Sequence, residues 1–286
     1  MKKRDEKTML DLILTVAKND ENIRAVVMNG SRTSPTAIKD EFQDFDIVYV
    51  VRKVPPLVEN RQWLNTFGEL LIMQTPDEMD GIWPKTNDRF AFLMQFKDGN
   101  RIDLTLIEYE KFANTPRDSQ SMLLLDKDVK LDGLAPPSDK DYLPKPPTEK
   151  EFSDCCNEFL WVSTYVAKGI VRKQLTYAKF MAEQNVKESL IKLLCWYAAI
   201  KTNYQKSMGA YGKYLEQYLE PNVWNKFCKT YVDAEYTHIW EGLFIMCELF
   251  DEIAIKISEY YSYPYNKNEY RSVVEYLKTI KTIIKW

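Results

Sequence analysis

Near the start of the chain, Leu10, Ile13, Val16 and Ala17 recur at helical spacing, and this stripe predicts an amphipathic helix over residues 6–18. Ala25-Val26-Val27-Met28 is an unbroken apolar run that stops at Asn29-Gly30, which reads as a buried strand entering a turn. Phe45, Ile47, Tyr49 and Val51 alternate with Asp44, Asp46, Val48 and Val50, the mark of a second strand. Residues 69–74 predict a third. Leu93 to Phe96, the turn Lys97-Asp98-Gly99-Asn100 and the run Arg101 to Ile107 read as a hairpin. Asp-Gly suits its turn because both positions accept positive φ.

The pattern then changes. Leu134 to Pro147 (LAPPSDKDYLPKPP) carries five prolines, so it is neither a regular helix nor a central strand and reads as a linker. Thr148-Glu149-Lys150-Glu151 is a capping box. The helix behind it buries a stripe of Phe152, Cys155, Phe159, Val162 and Val166. Further helices are expected near residues 186–203, 213–229, 234–259 and 267–283. The chain thus divides into an α/β domain over residues 1–133, a linker over 134–147 and a helical domain over 148–286.

Composition narrows the possible functions. Of 286 residues, 39 are Lys or Arg and 42 Asp or Glu, a net charge of -3. A protein that coats nucleic acid ordinarily has a basic excess, so no nucleic-acid partner is expected, although a nucleotide needs only a few cations. The five cysteines are odd in number and form no CxxC pair, and His238 is the one histidine. A zinc site and histidine-based catalysis are therefore disfavoured. The cysteines read as small buried apolar residues in a reducing compartment. With no secretory leader and no apolar run long enough to span a bilayer, a cytoplasmic location without membrane contact is expected.

The chemistry concentrates in Asn29-Gly30-Ser31-Arg32, Gln43-Asp44-Phe45-Asp46 and Asp103. A strand has period two, so Asp44 and Asp46 share a face about 7 Å apart at the backbone. Such a pair alone also suits the wet face of an edge strand. Asp103 sits among strong β-formers, and if its strand neighbours the first, three carboxylates converge. Three like charges repel, and Mg²⁺, which prefers oxygen ligands, resolves the repulsion. Gly30 permits a tight turn from strand into helix, and Ser31 with the helix N-terminal amides can donate to phosphate oxygens, with Arg32 adding charge. No GxGxxG or GxxxxGK[ST] sequence is present, which removes the Rossmann and P-loop readings.

Strand, Gly-Ser turn, helix, a strand with Asp-x-Asp and a later strand with Asp together resemble the DNA polymerase β-like nucleotidyltransferase superfamily. Longer strings narrow this: VVMNGSR (26–32), FQDFDI (42–47), LMQFKDGNRIDLTLI (93–107), LLLDKD (123–128), PSDKDY (137–142) and FSDCCNEF (152–159) with Ala167-Lys168-Gly169. These are similar to the streptomycin (aminoglycoside) 6-adenylyltransferases, from about residue 6 to about residue 260. The resemblance implies an α+β fold: an N-terminal nucleotidyltransferase domain with a mixed β-sheet and flanking helices, and a C-terminal all-α helical bundle, with ATP and drug bound in the cleft between them. It implies transfer of AMP from MgATP to the position-6 hydroxyl of streptomycin, with release of pyrophosphate and loss of the drug's action.

On that reading Asp44 and Asp46 hold Mg²⁺, and Asp103 is a further metal ligand or the general base. Gly30, Ser31 and Arg32 grip the phosphates. The resemblance also assigns Lys168, and less directly Arg172, to the triphosphate. A multiply charged cationic drug calls for acidic and aromatic contacts, for which Glu158 and Trp161 are candidates. The same chemistry on another aminoglycoside, a lincosamide or a protein is an alternative. A retired nucleotide-binding module is another, against which three clustered carboxylates weigh.

Overall fold

The structure is a computed structural model and describes residues 2–80, 87–131 and 135–283. The chain divides into two compact units, Met1–Asp141 and Tyr142–Trp286. The expected boundary at residues 133–134 lies outside the described residues.

The first unit runs α1 (Glu6–Asn19), β1 (Ile23–Asn29), β2 (Phe45–Val51), α2 (Pro55–Glu59), β3 (Leu70–Gln74), β4 (Arg89–Phe96), β5 (Arg101–Glu108), α3 (Tyr109–Asn114) and β6 (Met122–Asp126). Its six strands form one mixed sheet in the order β3-β4-β5-β2-β1-β6. β2 and β5 pair in parallel, and the other neighbours are antiparallel. The Asp-x-Asp strand is therefore central, not the edge strand that its charges alone would suit.

Alternation gives the sheet two unlike faces. One carries Phe45, Ile47, Tyr49, Ile102, Leu104 and Leu106, which pack with Met9 and Ile13 of α1 into the main core. Tyr49 Oη donates to Ile13 O at 2.7 Å and ties α1 to the sheet. The other face is covered towards one end by a small cluster of Ala25, Val50, Ile107 and Leu131. At the opposite end it carries the carboxylates.

The second unit is helical: α4 (Glu149–Val171), α5 (Leu175–Phe180), a π-helical turn (Met181–Val186), α6 (Lys187–Lys201), α7 (Pro221–Cys228), α8 (Tyr236–Tyr261) and α9 (Lys267–Ile283). The capping box is formed, with Glu151 N donating to Thr148 Oγ1 at 3.1 Å and Thr148 N to Glu151 Oε2 at 2.8 Å. Phe159 and Phe250 stack at 3.9 Å in its core. The helix expected over 213–229 begins only at Pro221. Proline disfavours helical backbone in the residue before it and starts α7 at N1, so residues 213–220 are short 3₁₀ and irregular turns. All five cysteines are free. Cys155, Cys156 and Cys247 are buried as expected, but Cys228 is exposed. Burial pushes the Cys155 and Cys247 thiols up to about 12, which keeps them unreactive. Among the described residues no helix is long and apolar enough to cross a membrane.

Candidate active site

β1 leaves the sheet at Asn29 and the chain turns through Gly30, whose φ is +73°. A Cβ on Gly30 would also overlap Asp46 Oδ2, so glycine is required on two counts. The expected helix after this turn is absent. Gly30–Arg32 makes a single 3₁₀ turn, closed by Thr33 N to Gly30 O at 3.0 Å. Pro35 follows too soon for a helix to propagate, since it biases Ser34 away from helical backbone. What remains for an anion is the Ser31 hydroxyl and the amides of the turn. Ser31 Oγ accepts from Gln43 Nε2 at 3.3 Å.

Strand register assembles the carboxylates. Asp46 pairs with Asn29 on one side and with Asp103 on the other, so the three stand in one row across β1, β2 and β5. Asp44 lies two residues before Asp46 on the same face. Burial, then repulsion from Asp103 and Asp44, pushes Asp46 up to about 6. Asp44 is also raised, mainly by burial, with the Arg101 guanidinium opposing. One row further along this face lies a cavity of about 140 Å³, whose lining includes Asn29, Val48, Thr105, Phe112, Arg117 and Ser121. Ser121 Oγ donates to Asn29 Oδ1 at 2.8 Å.

The Arg32 guanidinium is engaged by the protein itself: Nε donates to Asp44 O at 3.0 Å, Nη2 to Gln43 O at 2.7 Å, and Nη1 lies 3.4 Å from Glu6. Its guanidinium carbon lies over the Phe45 ring, 3.7 Å from the ring centre. Arg32 thus clamps the segment that delivers Asp44 and Asp46. Arg101, which the sequence reading passed over, forks onto Asp103: Nε donates to Oδ1 at 2.8 Å and Nη2 to Oδ2 at 2.7 Å. The period-two spacing of Arg101 and Asp103 was the available signal. Among the described residues no three His, Cys, Asp or Glu side chains stand ready-assembled around a metal position. Both oxygens of the third carboxylate, Asp103, are engaged by Arg101. The donor chemistry nonetheless fits a hard cation: three carboxylates share one face, and their mutual repulsion favours any cation that joins them.

A second set of candidates lies on α4 in the helical unit. Glu158, Trp161 and Lys168 are exposed along one stripe with Tyr165, at spacings of three and four. Trp161 Nε1 donates to Tyr165 Oη at 2.7 Å, and Lys168 Nζ lies 5.4 Å from the Tyr165 ring centre. Trp161 is 59% exposed, which excludes a core role within its unit. His238 is exposed beside Asp233, whose carboxylate raises its pKa; it stands apart from both candidate groups in sequence and contacts.

Comparison with known proteins adds to this geometry. Residues 3–280 match the family described as streptomycin adenylyltransferase. The chain is 39% identical over 266 residues to the aminoglycoside 6-adenylyltransferase of Bacillus subtilis strain 168, covering 92% of this chain and 93% of that one. It is 36% identical over 263 residues to the protein of the same name from Campylobacter jejuni, covering 92% and 91%. The crystal structure of an aminoglycoside 6-adenyltransferase from Bacillus subtilis is 35% identical, covers 97% of this chain and 99% of its own, and aligns with a TM-score of 0.48.

Proposed function

The chain belongs to the streptomycin adenylyltransferase family and is an adenylyltransferase, and from that premise we propose that it transfers AMP from ATP to the position-6 hydroxyl of streptomycin. The observation that carries the reading is the register of β2 on β5, which sets Asp46 beside Asp103 with Asp44 on the same face.

Asp44 and Asp46 would hold Mg²⁺, with Asp103 as a third ligand or as the base that takes the hydroxyl proton. When bound, the ion neutralises charge on the triphosphate and on the departing pyrophosphate. The Gly30 turn and the Ser31 hydroxyl grip the β- and γ-phosphates, and Arg32 contributes by fixing the backbone of Gln43 and Asp44. The acceptor oxygen attacks the α-phosphorus. A new P–O bond forms, the bond to the bridging oxygen breaks with its electron pair, and pyrophosphate leaves. The family resemblance alone assigns Lys168 to the phosphates. Glu158 and Trp161, with Tyr165, offer the acid and the π-faces that a guanidinium-bearing acceptor requires.

Mass spectrometry of streptomycin incubated with the protein, ATP and Mg²⁺ tests this. The expected product is heavier by one adenylyl group and fails to form in EDTA. Modification of a different acceptor, with streptomycin untouched, would retain the chemistry and overturn the assigned acceptor.

A further inference from the structure

The acid row contains a cation of its own. Arg101 opens β5 and Asp103 follows two residues later, so strand geometry puts both on the carboxylate face. The guanidinium takes both Asp103 oxygens in a bidentate fork, and its Nε also lies 3.6 Å from Asp44 Oδ2. One positive group therefore touches two of the three carboxylates. Resting on the metal-site reading above, we propose that Arg101 is a built-in counter-cation which a divalent ion must displace, so that this side chain sets how tightly the protein takes up its metal.

The contrast with Arg32 supports mobility at Arg101. The Arg32 side chain is 8% exposed and pinned by two backbone carbonyls, whereas that of Arg101 is 41% exposed and its polar contacts are to carboxylates. Arg101 can thus swing out without breaking the backbone of its strand. Asp103 needs a free oxygen either as a ligand or as a base, so both roles require this release. The guanidinium stays charged throughout, because arginine does not deprotonate in this setting. Competition of this kind lowers metal affinity by the strength of the ion pair. A partly exposed bidentate pair supports a factor of about five to ten.

The test is Mn²⁺ binding to the nucleotide-free protein, read from the electron paramagnetic resonance of free Mn²⁺. Arg101→Gln removes the charge, and Arg101→Lys keeps it without the fork. The expected result is Mn²⁺ binding about fivefold to tenfold tighter in Arg101→Gln than in wild type, with Arg101→Lys between them. Asp46→Asn should abolish binding in each background. Equal or weaker binding in both Arg101 variants, with the Asp46→Asn effect intact, would overturn the counter-cation and leave the metal site standing. Absence of Mn²⁺ binding in wild type and in both variants would overturn the metal-site reading and the counter-cation with it.

Discussion

Asp46→Asn should make the metal-free protein more stable while removing its activity. In the folded chain Asp46 is pushed from 3.8 up to about 6 by burial and by the charges of Asp103 and Asp44. Holding the carboxylate ionised against that shift costs the fold about 3 kcal/mol, at about 1.4 kcal/mol per tenfold change in affinity for the proton. Asp46 keeps some access to solvent, which screens part of the repulsion and leaves about 1–2 kcal/mol. The sign follows from linkage. A carboxyl with a raised folded pKa contributes no penalty below 3.8, a growing one up to about 6, and a constant one above. Urea unfolding in EDTA should therefore show Asp46→Asn more stable than wild type by about 1–2 kcal/mol at pH 7.5, with the gap closing towards pH 4. AMP transfer should fall more than about a hundredfold in the same variant, since the ligand proposed for the metal is lost. A variant less stable than wild type at pH 7.5, or one that keeps near wild-type activity, would refute the reasoning.

Gly30→Ala should lose about 1–3 kcal/mol and most activity, because alanine must hold φ near +73° and meet Asp46; thermal unfolding and AMP transfer both read this. Arg32→Ala should lower the melting temperature and kcat, with about 2–3 kcal/mol lost through two unpaired carbonyls. A rise in KM for ATP with stability unchanged would make Arg32 a phosphate ligand instead. Asp98, in the β4–β5 turn, accepts from Arg4 and Asn100, and these donors hold its carboxyl well below the usual range against its burial. Asp98→Ala should cost about 3–5 kcal/mol in urea unfolding at neutral pH, and the difference should shrink below about pH 4, as acid protonates Asp98 first in the unfolded chain and only at lower pH in the folded one.

Much of the fold was legible because period and capping are local. The stripe of α1, the hairpin at Asp98-Gly99, the Thr148 capping box and the span of α9 all follow from residues within a few positions of one another, although in the hairpin turn only Gly99, not Asp98, takes the expected positive φ. β6 was not read as a strand: every position of Met122–Asp126 is half-buried, so no alternation marks it. Pairing was also out of reach, since one sequence carries no record of which strands neighbour, and the meeting of Asp46 with Asp103 depends on a parallel register across a long connection. The Gly-Ser turn was legible but its sequel was not, because Pro35 limits the turn after Gly30 to a single 3₁₀ turn. Arg32 and Arg101 show the same limit. Charge alone does not say whether a guanidinium faces a ligand, a carbonyl or a carboxylate. Trp161 has helical spacing suited to a core position, yet it lies on the outer side of α4.

The most direct test of the central claim is pyrophosphate release measured against streptomycin added, with wild type and Asp46→Asn side by side. Wild type should release one pyrophosphate per streptomycin consumed, only when ATP and Mg²⁺ are both present, and Asp46→Asn should release none above background. Release that continues in the variant, or that proceeds in wild type without an acceptor, would contradict the assignment of these carboxylates to AMP transfer.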